Sequence, residues 1–210
     1  MQKHNTSGKL ITFCGLDGCG KTTLITMLNE YLTEQGYDVL LTKQPTEEFR
    51  RSNIFRSVQD TPDHIGYDYR AMSLMAAGDR LQHCFNTILP ALEQGSIVIS
   101  DRYFYSCLAN LKARGYIQDK WIYEILSHAV KPDLAFFLNI DVETALKRVR
   151  SRIDERDTYI NIELQYRLKS EYEIIAGQYD GITINTAQSI SDCFDAVLKH
   201  FHNICSSAVA

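Results

Sequence analysis

Apolar residues along this chain follow two rhythms. Short unbroken runs at residues 9–14, 39–42, 97–100, 134–140 and 182–184 read as buried strands. Between them, apolar positions return at helical spacing, as at Leu24, Met27, Leu28, Tyr31 and Leu32, and later at Ile190, Phe194, Val197, Leu198 and Phe201. Helices are expected after the glycine-rich turn up to Gly36, over 67–94 with Gly95 as the stop, around 103–112 and 118–129, over 142–153 and 161–178, and at the C-terminal end. Residues 44–63 are polar and end in Thr61-Pro62-Asp63, which predicts a loop with one short helix. Strands alternating with helices predict an α/β doubly wound fold on a parallel sheet, with ligands at the carboxyl ends of the strands. No repeat, low-complexity tract or dividing linker interrupts residues 1–210, so one domain is expected.

Composition narrows the class. Hydrophobic residues make up 45% of the 210 and charged residues 23%, enough for a full core without disulfides or metals. The net charge of -4 argues against a nucleic-acid partner, which needs a basic surface. The six cysteines form no CxxC pair and show no zinc spacing, as expected of buried thiols in a reducing compartment. The polar N-terminus lacks the apolar stretch of a signal peptide, and no run approaches a membrane span, so no membrane association and a cytoplasmic protein are expected. Residues 1–8 and 206–210 are expected to fray.

The chemistry concentrates first at Gly15-Leu16-Asp17-Gly18-Cys19-Gly20-Lys21-Thr22, followed by Thr23, which matches G-x-x-x-x-G-K-[ST]. Glycines let such a loop turn its N–H groups onto phosphate oxygens, and the helix that follows adds the positive end of its dipole. Lys21 would supply charge to the β- and γ-phosphates of ATP, and Thr22 a hydroxyl to Mg²⁺. Asp101-Arg102-Tyr103 directly follows a buried strand; Asp101 there suits Mg²⁺ and Arg102 a phosphate. Arg148, Arg150, Arg152 and Arg156, interrupted by Asp154, Glu155 and Asp157, suit a lid over about 148–160 that places charge near a transferring phosphoryl group. Arg56 and Arg80 are further cations for an anionic acceptor. No N-K-x-D sequence is present to read guanine.

Phe13 to Thr23 (FCGLDGCGKTT), Asp101 to Ser106 (DRYFYS), Ala77-Gly78-Asp79-Arg80, the arginine-rich stretch and Arg167-Leu168-Lys169 with Tyr172 together resemble thymidylate kinase over almost the whole chain. The resemblance implies a homodimeric kinase with a five-stranded parallel sheet that moves the γ-phosphate of ATP to dTMP. It implies that Asp17 holds the acceptor's sugar hydroxyl and helps organise Mg²⁺, that Arg102 and Arg80 meet the acceptor's phosphate and base, and that Arg56 assists on the phosphate. Gly18 and Cys19 occupy loop positions where some members carry a catalytic arginine, so Arg152 and Arg156 of the lid should do that work.

Several acceptor positions depart from the family pattern. Cys14 stands where a Glu is usual, Ala76 where an aromatic stacks on thymine, Asn110 where a Tyr crowds the sugar, and Lys43-Gln44-Pro45 where Arg-Glu-Pro is usual. Ala76, Cys107 and Asn110 are therefore expected around the acceptor, with Met75 or Tyr69 as substitutes for the missing ring. The expected activity is phosphoryl transfer from ATP to a nucleoside monophosphate, dTMP first. A changed or modified acceptor, and an inactive nucleotide-binding regulator, are the alternatives.

Overall fold

The computed structural model describes residues 1–59, 65–152 and 159–206. Among these, five strands form one sheet: β1 (Lys9–Gly15), β2 (Val39–Lys43), β3 (Ile97–Asp101), β4 (Leu134–Asn139) and β5 (Ile182–Asn185). The order is β2-β3-β1-β4-β5 and every pairing is parallel. Helices cover both faces, so the central strands β1, β3 and β4 are apolar almost throughout rather than alternating. The edge strands β2 and β5 are only partly buried.

The helices are α1 (Lys21–Glu34), α2 (Glu47–Arg51), α3 (Asn53–Gln59), α4 (Tyr69–His83), α5 (Leu89–Glu93), α6 (Phe104–Ala113), α7 (Trp121–Ser127), α8 (Val142–Arg150), α9 (Ile162–Gln178) and α10 (Ile190–Ser206). Leu24, Leu28 and Leu32 of α1 and Val197 and Phe201 of α10 belong to one continuous core with the strands, where the Phe13 and Phe136 rings stack at 5.1 Å. The polar stretch after β2 holds two short helices instead of one, the first capped by the Thr46 hydroxyl on the Phe49 N–H. The long helix expected over 67–94 forms as α4 and α5 joined by a π-helical turn, Cys84–Ile88. That widening falls just before Pro90, which has no N–H to donate and whose ring crowds the carbonyl four residues back.

The N-terminal residues are not frayed. Gln2 pairs with Val130, the His4 ring lies 2.9 Å from the Asp133 carboxylate, and a side chain at Gly8 would strike the Ser96 carbonyl at 2.5 Å. The polarity of this segment is misleading, because backbone pairing and one histidine anchor it. Asp133 in turn accepts from the Leu10 N–H.

From β1 the chain moves to β2 on one side; from β3 it crosses β1 to reach β4 on the other. The connections therefore part at the carboxyl ends of β1 and β3, where an open α/β sheet leaves its crevice. The register pairs Phe13 with Asp101 and Gly15 with Leu138, so the glycine loop and Asp101-Arg102 flank that crevice.

Candidate active site

The loop from Gly15 to Thr22 is shaped by close backbone approaches. Gly18 has φ +81°, and a Cβ there would lie 2.2 Å from the Ala145 carbonyl oxygen of α8. Gly20, at φ +100°, opens α1 without a side-chain cap and with no acidic residue in the first turn, which leaves the positive end of the helix for an anion. Lys21 is buried and donates to the carbonyls of Gly15 (3.2 Å) and Leu16 (2.8 Å). Thr22 and Thr23 line the cleft beside Gly15, Leu16, Asp17, Gly18 and Gly20. Cys19 does not: it is buried, its N–H donates to Leu16, and its sulfur lies 3.7 Å from the Lys21 ammonium. The Gly18 contact leaves no room for a side chain at that position, since α8 fills the space it would need.

Across the crevice, Arg102 holds a left-handed backbone (φ 68°), a costly conformation for a residue with a Cβ. Its N–H donates to Phe13, and its carbonyl accepts from Ser100. The guanidinium donates to the Asp17 carboxylate at 2.5 Å, the Gly15 carbonyl at 3.3 Å and the Tyr172 hydroxyl at 3.2 Å. Tyr172 donates onward to Ser106. Arg102 thereby ties the glycine loop to α6 and α9, and its charge holds the Asp17 carboxyl well below the usual carboxylate range. Asp101 pairs through one oxygen with Lys43 (3.3 Å); its other oxygen, Oδ1, is buried without a partner. Burial pushes the Cys14 thiol up to about 11, so this position brings no charge to the site.

Two more arginines converge here. Arg80, on α4, is 4% exposed; it donates to the Ala76 carbonyl at 2.9 Å, and its buried Nε has no partner. Arg50, on α2, donates to the Pro45 carbonyl at 2.8 Å. Burial, and then the neighbouring Arg102, draw Arg50 below its ordinary value. Arg50, Arg80 and Arg102 all line one cleft of about 680 Å³ with the glycine loop. Arg56 is exposed on α3 and is not among the lining residues. Only packing distinguishes it from Arg50, since both sit in the same polar stretch.

The arginine-rich segment divides. The helix expected to reach residue 153 stops at Arg150, which is exposed and outside the cleft. Arg148 reaches back over the glycine loop to the carbonyls of Gly18 (3.5 Å) and Thr186 (3.4 Å). Arg152 lines the cleft with Tyr159, Ile160 and Asn161. Arg156, with Asp154, Glu155 and Asp157, lies outside the described residues, as does the Thr61-Pro62-Asp63 turn.

A sequence profile of the family described as thymidylate kinase matches residues 13–197. The probable thymidylate kinase of Pyrococcus horikoshii is 37% identical over 199 residues, covering 92% of this chain and 97% of that protein. The thymidylate kinases of Geobacillus sp. (strain WCH70) and Finegoldia magna are 33% and 34% identical, over 89% and 90% of this chain and 92% and 95% of their own lengths. The chain belongs to the thymidylate kinase family.

The cleft opposes the glycine loop to a cationic half, and two of the positions that depart from the family pattern, Ala76 and Asn110, lie in that second half, whereas Cys14 is buried on β1 outside the cleft. Ala76, Cys107 and Asn110 all line it. Asn110 donates its amide to the Ser106 carbonyl, and the Cys107 sulfur lies 3.7 Å from the Ser73 carbonyl. Met75 points elsewhere: it is 45% exposed and not part of the cleft. Tyr69 does line the cleft, with the Arg114 guanidinium 4.0 Å from its ring centroid. The segment from Gln44 to Thr46 is braced by α4, where Asp79 accepts from the Thr46 N–H and hydroxyl and Gln44 donates to His83. None of these braces has a motif, because each joins residues more than thirty positions apart.

Proposed function

We infer that this protein transfers the γ-phosphoryl group of ATP to dTMP, giving dTDP and ADP. One observation carries the reading: a glycine loop with an open helix N-terminus faces three convergent arginines across a single cleft. Two polyanions held end to end are what such an arrangement accommodates. The loop N–H groups and Lys21 hold the donor; Lys21 has only to exchange the Gly15 and Leu16 carbonyls for phosphate oxygens. Arg50 and Arg102 hold the acceptor phosphate, and Arg80, which lines the same cleft, meets the base. No general base is required, because a phosphate monoester is already largely a dianion near neutrality, its second pKa being about 6. Rate then comes from positioning and electrostatics, with Arg152 and Arg156 as the lid charges over the transferring group. Asp17 is assigned to the acceptor's sugar hydroxyl.

The residues present fit Mg²⁺. Asp101, whose Oδ1 is buried without a partner, and Thr22 both belong to the cleft lining, and two protein oxygens would suit an ion that keeps several waters and takes phosphate oxygens. When bound, it neutralises charge on the β- and γ-oxygens. Removal of the ion by a chelator should therefore abolish turnover.

A homodimer belongs to the same reading. Leu74, Met75 and Phe85 are 51%, 45% and 72% exposed along the outer side of α4 and its π-helical extension, and a side chain at Gly78 between them would meet open space. An apolar stripe with a small-residue gap suits a second copy of the helix. A cytoplasmic setting accords with six cysteines all present as free thiols. Among the described residues no helix is long and apolar enough to cross a membrane.

The test is a coupled ADP-release assay over a panel of nucleoside monophosphates. dTMP should be the best unmodified acceptor, and another natural nucleotide turned over more than about tenfold better would overturn the assignment.

A further inference from the structure

Beyond the three arginines the cleft continues between α4 and α6. Ser73 meets Cys107 across it and Tyr69 meets Arg114, so the two helices run antiparallel along its length. Tyr69, Ser73, Ala76 and Arg80 recur at helical spacing and all line the cleft. This face therefore reads aromatic, small, small, cation. The Arg80 guanidinium folds back onto the Ala76 carbonyl, so a base edge held by it lies level with Ala76. Tyr69 is seven residues further toward the helix N-terminus, about 10 Å along the axis at ~1.5 Å per residue. A pyrimidine ring covers roughly one helical turn, ~5.4 Å, of that distance. About one more turn remains, floored by Ser73 and closed by the Tyr69 ring with the Arg114 guanidinium stacked on it. Aromatic and guanidinium planes are what flat or apolar groups on nucleotides stack against.

We propose that Tyr69 and Arg114 form a distal subsite of the acceptor pocket that receives an apolar or planar exocyclic substituent on the base, larger than the methyl group of thymine. The proposal rests on the nucleoside monophosphate kinase reading above and extends its acceptor range. Tyr69 supplies the contact face. Arg114 holds that face in place from α6 and is a positioning residue.

The test compares dTMP with 5-(1-propynyl)-dUMP in steady-state kinetics. Wild-type enzyme should use the propynyl analogue with kcat/KM within about threefold of dTMP. Tyr69→Ala should lower the ratio of analogue to dTMP kcat/KM at least tenfold, through KM rather than kcat, whereas Tyr69→Phe should retain the ratio. Arg114→Met, which removes the backing and leaves the ring, should shift it the same way by a smaller factor and serves if Tyr69→Ala fails to fold. Wild-type enzyme that turns over dTMP but disfavours the analogue by more than a hundredfold would overturn the subsite alone. A ratio unmoved in both Tyr69→Ala and Arg114→Met would also overturn it. Absence of turnover on dTMP and every other monophosphate would overturn the underlying kinase reading, and the subsite with it.

Discussion

The two halves of the cleft are built in opposite ways. The donor half is nearly one piece of chain, Gly15 to Thr23, with Asp101 beside it. The acceptor half draws Arg50 from α2, Tyr69, Ala76 and Arg80 from α4, Arg102 from the end of β3, and Asn110 and Arg114 from α6 and its cap. On the proposed reading the donor half would recognise its ligand by backbone N–H groups, so local geometry dictates residue type: glycine where φ is positive or where α8 touches the loop. The acceptor half of that reading would recognise its ligand by side chains, and any helix that packs at the right level can supply them. The first half tolerates little change, whereas the second can be re-tailored one residue at a time, and Ala76 and Asn110, two departures of this chain from the family pattern, are found there.

That contrast can be tested from its strongest point downward. Lys21→Ala removes the buried lysine of the glycine loop and should lower kcat by about 10³-fold, the scale of losing a preorganised donor at a developing charge. Circular dichroism and thermal melting should show an intact fold, and substantial residual activity would break the donor assignment. In the acceptor half, Arg50→Ala should raise KM for dTMP by about 30-fold, the equivalent of about 2 kcal/mol for a charge-assisted hydrogen bond, with kcat less affected. Arg56→Ala should stay within about twofold of wild type. The reverse ranking would restore Arg56 to the site and contradict the packing of α2 and α3.

Gly18→Ala tests whether the donor half is rigid for backbone reasons. It combines a positive φ with a clash against the Ala145 carbonyl, which should cost about 1–3 kcal/mol and lower Tm by several degrees. An unchanged melting curve would mean that α8 can withdraw from the loop. The smallest effect expected concerns pH. Arg102 depresses the Asp17 carboxyl, so the stability this pair contributes is fully present above the unfolded carboxylate value of about 3.9 and is lost only as pH falls through the lower folded value. Asp17 therefore stays ionised across the assay range. The acid limb of kcat/KM should instead follow the second ionisation of the acceptor phosphate near about 6. The limb should remain within a few tenths of a pH unit in Asp17→Asn; a larger displacement would show that Asp17 titrates there.

Five strands were legible because each is a short apolar run between polar breaks, and their alternation with helices predicted the parallel sheet. The glycine loop was legible because its chemistry is contiguous, and Asp101-Arg102 because the pair ends an apolar strand. What escaped was whatever depended on contact between distant segments. Arg50 and Arg56 are indistinguishable by sequence. Arg148 reads as one more lid arginine, yet it grips Gly18 and Thr186. The polar N-terminus reads as frayed, yet it is paired to Val130 and Asp133.

By itself, then, the sequence determined the fold class, the phosphate loop and the family, because strand periodicity and the residue types demanded by a tight anion-binding turn are local properties of the chain. Only the tertiary structure decided which arginines line the cleft, that Met75 faces away while Tyr69 faces in, and that no side chain fits at Gly18. Those outcomes depend on how α4, α6 and α8 pack against the sheet and one another, and packing is set by side-chain volumes summed over the whole core.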